Sequence, residues 1–359
     1  MSLHFEKLAV KEIREETNDC VSITLEIPET LRESFIYKHG QHLNFRSFIN
    51  GEELRRTYSL CTAPYENTWK VAVKKTLNGR FSTYANETLK VGDLLEVMPP
   101  SGTFSTQIFP TQKKNYVAFA AGSGITPVIS ILKTILKEEP LSTFTLVYGN
   151  RTKQSIIFFE ELEALKNKYL SRFNLIYLLS REKTEAPVND GRISFDKLKS
   201  LEKLIRYESV NDYFICGPES MLFVVKEFLQ SLGVEDKKIH FELFTTPGED
   251  IVQKPVIKKP EAAGSSSSIS VKIDGRFMDF EMAEENTNSI LDAALDQGAD
   301  LPYACKGGVC CTCKAKLLEG EVEMKVHYGL EQEEIDEGFI LTCQSRPLTK
   351  KVVVDFDIK

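Results

Sequence analysis

The sequence lacks a long hydrophobic run: no apolar stretch in its 359 residues approaches the ~18 needed to cross a bilayer, so a helical membrane protein is not expected. It lacks an excess of positive charge. Lys and Arg number 45 against 52 Asp and Glu, a net charge of −7, which argues against nucleic-acid backbone as the main partner. The first residues, Met1-Ser2-Leu3-His4-Phe5-Glu6-Lys7, lack the basic start and apolar core of a secretory leader, and a cytoplasmic location is expected. Disulfides are out of place in that compartment, so the eight cysteines need another use. No internal repeat is present. With 42% hydrophobic and 27% charged residues the chain has the composition of a globular protein. Its length exceeds what one core usually holds, and two or three domains are expected.

The charge is unevenly placed. Residues 269–359 carry net −8 and residues 1–268 carry net +1. The cysteines follow a similar division, with Cys20, Cys61 and Cys216 dispersed and Cys305, Cys310, Cys311, Cys313 and Cys343 crowded into the acidic end. Between the two parts, residues 247–268 are rich in Pro, Lys and Ala and end in Gly264 and four serines, which reads as a linker.

Residues 1–110 show short alternating segments bounded by turns: Val21–Ile27, Gln41–Phe45, Trp69–Lys74 and Leu94–Val97. Their spacing predicts an antiparallel barrel or sandwich. From 111 to 246 the texture changes. Apolar runs at Tyr116–Ala120, Phe144–Tyr148, Leu175–Leu179, Tyr213–Cys216 and Ile239–Leu243 alternate with helical periodicity at Ile129–Leu136, Phe159–Lys168, Phe195–Ile205 and Met221–Leu229. This alternation predicts an α/β doubly wound parallel sheet.

The most specific signal is Cys305-x4-Cys310-x2-Cys313 with a distant Cys343, the spacing of a plant-type [2Fe–2S] centre. Two irons need four thiolates, and a short loop supplies three of them only by folding tightly round the cluster. Gly307 and Gly308 are expected to permit that path and let amides approach the sulfurs. A structural zinc site normally shows two separated Cys-x2-Cys pairs instead. Cys311, between ligands, reads as a packing thiol. Ile269–Ile273 and Phe277–Glu281 flank a turn at Asp274-Gly275-Arg276, and Ser289–Gln297 reads as a helix with Ile290, Leu291 and Ala294 inward. On these residues, 269–359 resembles a plant-type ferredoxin, which implies an α+β β-grasp fold.

A one-electron cluster cannot take a hydride from a nicotinamide in one step, so a two-electron to one-electron converter is required, and a flavin is the usual one. Arg56-Thr57-Tyr58-Ser59 and Gly79-Arg80-Phe81-Ser82 resemble the Arg-x-Tyr-Ser and Gly-x-x-Ser motifs of the ferredoxin–NADP reductase family. The resemblance implies FAD, with Arg56 on its phosphate, Tyr58 stacked on the isoalloxazine, Ser59 near N5, and Ser82 with its neighbouring amides on the pyrophosphate. Gly122-Ser123-Gly124-Ile125-Thr126-Pro127 follows the first predicted parallel strand, where glycine amides at a helix start can approach a pyrophosphate. Its Gly-x-Gly-x-x-Pro form resembles the same family.

Arg151 and Ser180-Arg181 end the second and third predicted strands. Neither place has the Asp or Glu that grips a ribose 2′-hydroxyl, and arginine suits a 2′-phosphate, which favours NADPH. By resemblance, Cys216-Gly217 with Met221 borders the nicotinamide, Cys216 packs beside the transferring carbon, Glu242 hydrogen-bonds Ser59, and Phe244 shields one flavin face. Hydride transfer requires two rings placed face to face and no strong general base.

The order of modules is 1–110 FAD-binding barrel, 111–246 NADP-binding domain, 247–268 linker and 269–359 ferredoxin. It resembles reductase components that feed a separate di-iron oxygenase. A Rieske dioxygenase, a haem hydroxylase or an acyl desaturase as client would leave the electron chain unchanged. A non-catalytic redox sensor is the reading from another class.

Overall fold

Strands with one face turned inward build the first sheet. β1 (Glu6–Thr17), β2 (Cys20–Glu26), β3 (His42–Ile49), β4 (Glu52–Ser59) and β5 (Trp69–Lys74) precede a short helix, α1 (Arg80–Glu87), and β6 (Leu94–Val97) follows it. The sheet runs β4-β3-β6-β1-β2-β5 with antiparallel neighbours. An antiparallel bridge between Leu60, just after β4, and Val71 of β5 joins the two edge strands at one point, where the sheet closes into a barrel. Leu8, Ile23, Leu43, Phe45, Val71, Phe81 and Val97 fill its interior. Each such side chain contributes about 1.5–3 kcal/mol when fully buried. β1 is a strand that alternation alone did not signal. Its register shifts twice, between Val10 and Glu12 and between Glu15 and Thr17, and each bulge breaks the period of two.

The next strands are β7 (Asn115–Ala121), β8 (Thr143–Asn150), β9 (Phe173–Leu179), β10 (Asp212–Gly217) and β11 (Ile239–Leu243). The intervening helices are α2 (Ile125–Glu138), α3 (Phe159–Lys168), α4 (Phe195–Ser200) and α5 (Glu219–Ser231). All strands are parallel, in the order β11-β10-β7-β8-β9. The order reverses between β7 and β10, and a ligand crevice forms outside the carboxyl ends of the strands at such a point. The helix expected over Phe195–Ile205 stops at Ser200 and continues as a 3-10 turn, Leu201–Lys203. Leu198, Leu201 and Ile205 are buried through both parts, so the apolar spacing persists where the α-helical hydrogen bonding ends.

α2 is buried on nearly every side because it packs between the parallel sheet and the barrel. On the barrel side Ser130 donates to the Thr62 carbonyl at 2.6 Å. The Lys133 ammonium, 4% exposed, meets Glu66 of the barrel at 2.8 Å and Glu161 of α3 at 2.9 Å. A buried cation held by two carboxylates fixes geometry more than it adds stability. The two sheets thus form one compact unit, Met1–Phe244.

The computed structural model describes residues 4–244, 266–283 and 286–358. Most of the expected linker, 247–265, lies outside the described residues. Its last three residues do not: β12 (Ser266–Ile273) begins inside it. Ser268 pairs with Glu281 and Lys351, and Ser267 Oγ donates to the Thr349 carbonyl at 2.9 Å. Backbone pairing recruits serines that composition assigns to a loop. β12 turns into β13 (Arg276–Ala283) through Asp274 and Gly275, both at positive φ (50° and 72°), as a two-residue type I′ hairpin requires.

After α6 (Ile290–Asp296) come β14 (Lys314–Glu319), β15 (Val322–Met324), α7 (Gln332–Asp336), β16 (Phe339–Leu341), β17 (Ser345–Pro347) and β18 (Lys351–Asp355). The mixed sheet β13-β12-β18-β14-β16 packs on α6, and β15 pairs with β17. Ile290, Leu291 and Ala294 face that core, as their spacing predicts. This is the β-grasp arrangement, in a second unit, Thr245–Lys359.

Candidate active site and candidate cluster site

Pairing of β3 with β4 places His42 opposite Ser59, and parallel pairing of β10 with β11 sets Cys216 beside Glu242. Ser59, 2% exposed, donates a hydrogen bond to Glu242 Oε2 at 3.0 Å. A strand end of the barrel and the last strand of the nucleotide sheet thereby meet at one point. Burial and then the Glu242 charge push the Cys216 thiol well up, so it stays neutral and acts by packing.

Tyr58 lies half-buried, with the Phe81 ring stacked at 5.4 Å and the Phe45 ring edge-on at 5.8 Å. Thr57 donates to Asn44 Oδ1 at 2.7 Å, and Arg56 Nη1 donates to the Arg55 carbonyl at 2.7 Å. Gly79 is the N-cap of α1 without a side-chain cap, so the first amides of that helix are available to an anion. A Cβ on Gly79 would stand 2.1 Å from Thr76 Oγ1 and 2.3 Å from Ser82 Oγ. Ser82 accepts the Thr76 amide and donates to the Gly79 carbonyl at 3.0 Å. Its hydroxyl therefore ties the loop to itself, and the backbone amides remain as the anion donors.

At the reversal point of the parallel sheet, Gly122 (φ 54°) opens one 3-10 turn into α2. A Cβ on Gly124 would lie 2.1 Å from the Cys216 carbonyl, so only glycine lets this loop close against Cys216-Gly217. The buried Tyr148 hydroxyl donates to the Gly122 carbonyl at 2.8 Å, and Thr126 donates to the Ser123 carbonyl at 3.0 Å. Pro127 sits in the first turn of α2, where its missing amide costs nothing. The Ser180 and Arg181 amides donate to the carbonyls of Asn150 and Arg151 at 3.0 and 2.8 Å, which brings two exposed arginines to neighbouring strand ends. Phe244 is half-buried against the core of this sheet.

In the second unit the four cysteines fall into two pairs. Cys305 and Cys310 have their sulfurs 3.1 Å apart, and Cys313 hydrogen-bonds Cys343. Among the described residues no three His, Cys, Asp or Glu side chains converge as one metal ion needs; two sulfur pairs suit two irons. The hydrogen bond from Cys310, followed by amides led by that of Gly307, holds the Cys305 thiol below its ordinary range. The Gly307 and Cys310 amides reach Cys305 Sγ at 3.3 and 3.4 Å, and Thr312 Oγ1 reaches Cys310 Sγ at 3.3 Å. These are the donors a charged cluster needs. Of the two loop glycines only Gly308 takes positive φ (73°), the other such residue being Lys306 (51°). A Cβ on Gly308 would meet the Val326 carbonyl at 2.5 Å. Cys311 is half-buried.

Two residues at the first site have no motif to announce them. His42 and Ser101 are joined by backbone hydrogen bonds at 2.8 and 3.0 Å and by His42 Nε2 to Ser101 Oγ at 3.1 Å. A lone histidine in an apolar strand is the only trace of this in the sequence.

Residues 7–106 match the oxidoreductase FAD-binding domain, 119–227 the oxidoreductase NAD-binding domain and 271–348 the 2Fe–2S iron–sulfur cluster binding domain. The chain is 45% identical over 356 residues to a subunit of the 1,2-phenylacetyl-CoA epoxidase of Escherichia coli (strain K12), covering 99% of this chain and 98% of that one. It is 35% identical over 354 residues to the ferredoxin reductase component of 3-ketosteroid-9-alpha-monooxygenase from Rhodococcus rhodochrous, covering 97% and 96%. Among solved structures, phthalate dioxygenase reductase, a modular protein for electron transfer from pyridine nucleotides to [2Fe–2S], superposes with a TM-score of 0.59 at 25% identity over 98% of both chains. The chain belongs to this family of modular reductases, and is an oxidoreductase with an FAD, a pyridine nucleotide and a [2Fe–2S] cluster.

Proposed function

We propose that this reductase takes electrons from NADPH and delivers them, through FAD and the cluster, to a separate di-iron oxygenase that epoxidises phenylacetyl-CoA in the cytoplasm. The observation that carries the electron chain is the Ser59–Glu242 hydrogen bond beside Cys216, which joins the flavin barrel to the carboxyl edge of the nucleotide sheet. Support for the client is the 45% identity over nearly all of both chains to the Escherichia coli epoxidase subunit. Support for a non-membrane location is that, among the described residues, no helix is long and apolar enough to cross a membrane.

Bound FAD accepts a nicotinamide's two electrons together and releases them singly to a cluster. The chain's residues bind and orient. The working modules are 1–110, 111–246 and 269–359, close to the three matched domains. Arg56 and the amides following Gly79, ordered by Ser82, hold the flavin phosphates, while Thr57 fixes the strand through Asn44. Tyr58 and Phe244 flank the ring, and Ser59 fronts its reactive edge. Gly122, Gly124, Thr126 and Pro127 shape the nucleotide's pyrophosphate loop. Cys216 and Gly217 leave room for the nicotinamide, and Ser180, Arg151 and Arg181 receive a 2′-phosphate. Cys305 and Cys310 take one iron, and Cys313 and Cys343 the other.

Reconstitution with the purified di-iron oxygenase, NADPH and phenylacetyl-CoA tests the client. Epoxide formation that depends on the reductase is expected. Rapid NADPH oxidation with a reducible dye but no epoxide would redirect the proposal to a Rieske, haem or desaturase client.

A further inference from the structure

The cysteine loop of the β-grasp unit contains a lysine in a conformation that glycine favours. Lys306, between Cys305 and the two glycines, has φ 51°, a region costly for a residue with a Cβ. Such a residue persists only where its surroundings hold it. Contacts at both its ends hold Lys306. The ammonium meets Asp292 Oδ1 at 2.7 Å and lies over the Tyr303 ring, 4.7 Å from the centroid. The carbonyl accepts a hydrogen bond from Gln344 Nε2 at 2.9 Å, across 38 positions of sequence.

The second contact has a chemical consequence, because the Lys306 carbonyl and the Gly307 N–H belong to one planar peptide. In a trans peptide these two groups point opposite ways. With the carbonyl fastened to Gln344, the N–H is aimed at Cys305 Sγ, 3.3 Å away. Cys305 is also the one cysteine of the four that is only half-buried, so water competes for its sulfur unless a donor is fixed in place.

Gln344 is itself placed by the fold. Its backbone amide donates to the Leu341 carbonyl at 2.9 Å, and its carbonyl accepts the Lys325 amide at 3.2 Å. The side-chain Nε2 also donates to the Cys343 carbonyl at 3.0 Å and stands 3.9 Å from Cys343 Sγ. Glycine at position 308 gives this side chain room, since a Cβ there would stand 2.9 Å from Gln344 Cγ. Gln344 thus reaches from the fourth cysteine to the loop that supplies the other three.

We propose that Gln344 is a positioning residue for the cluster: by holding the Lys306 carbonyl it fixes the Gly307 amide on Cys305, and so raises the cluster's reduction potential. The inference rests on the reading that Cys305, Cys310, Cys313 and Cys343 carry the [2Fe–2S] centre. Hydrogen bonds to the sulfurs favour the more negative, reduced state and are one of the levers on such potentials. Without the Gln344 amide, Lys306 relaxes from positive φ and the Gly307 N–H turns away from the sulfur.

The test is the midpoint potential of the cluster in the holoprotein, from a redox titration followed by the paramagnetic signal of the reduced centre. Gln344→Met keeps the length of the side chain and cannot donate to Lys306. It should shift the equilibrium for reducing the cluster about tenfold toward the oxidised form, a fall of about 59 mV for one electron. Pulsed EPR in H2O and D2O should show the coupling to an exchangeable proton near the centre weakened. Gln344→Asn, whose amide is one carbon too short to reach Lys306, should change both quantities in the same direction. A side chain that served packing alone would speed cluster loss in both variants and leave the potential and the proton coupling of the remaining centre unchanged. That result, or no change of any kind, would overturn the proposal. The underlying reading fails differently: a full [2Fe–2S] signal in Cys305→Ala would remove that cysteine from the ligand set. If Cys305→Ala lacks the signal while both Gln344 variants keep the parent potential, the ligands stand and the role of Gln344 falls.

Discussion

His39 shows how a single buried imidazole links the flavin unit to pH. It is 6% exposed and accepts the Thr106 amide through Nε2 at 3.2 Å, so the folded protein holds it neutral. Burial lowers its pKa from 6.5 to about 4. The unfolded chain binds the proton first, and the contribution of His39 is complete above pH 6.5 and lost as pH falls to about 4. A shift of this size corresponds to on the order of 3 kcal/mol at the acid end. Denaturant unfolding followed by the fluorescence of Trp69, the single tryptophan, should show this loss. His39→Gln, which keeps an acceptor for the Thr106 amide, should flatten it; an equal acid loss in that variant would assign the effect to other groups.

Single residues were legible in the sequence where chemistry forces a spacing. The cluster cysteines are of this kind, since two irons need four thiolates. The Ser59–Glu242 contact could be named only through family resemblance, because 183 positions separate the partners. His42 was not legible, because a histidine on a buried strand carries no periodic signal and gains meaning only once β11 brings Glu242 to it.

Among the elements, β8 and β9 end where their arginines can share a ligand. The Arg181 amide donates to the Arg151 carbonyl at 2.8 Å, and both side chains are exposed. A bidentate arginine–phosphate contact is worth more than a neutral hydrogen bond. Arg151→Ala and Arg181→Ala should each raise the KM for NADPH at least about tenfold, on the order of 1.4 kcal/mol, with little change for NADH. Steady-state kinetics with both nucleotides measures this, and equal effects would remove the 2′-phosphate from these strand ends. The parallel strands were readable because both faces are covered and the runs are continuously apolar. β1 was hidden by its two bulges, and Ser266–Ser268 by a composition that ordinarily marks loops. Tyr148 reads as core from sequence, and only the structure shows its hydroxyl holding the glycine loop.

For the whole molecule, the charge division in the sequence matches a physical one. The nearly neutral part contains a unit in which α2 and Lys133 bind barrel to sheet, and the acidic part lies within a β-grasp unit that has its own core. Two units with separate cores predict that the cluster can be lost without loss of the flavin chemistry. Cys343→Ser, in the holoprotein under anaerobic NADPH, tests this most directly. The account predicts no paramagnetic signal from a reduced [2Fe–2S] centre and an NADPH-to-ferricyanide rate within about twofold of the parent protein, a difference of under 0.5 kcal/mol. Loss of the dye reaction together with the cluster, in a protein that retains its FAD, would contradict it.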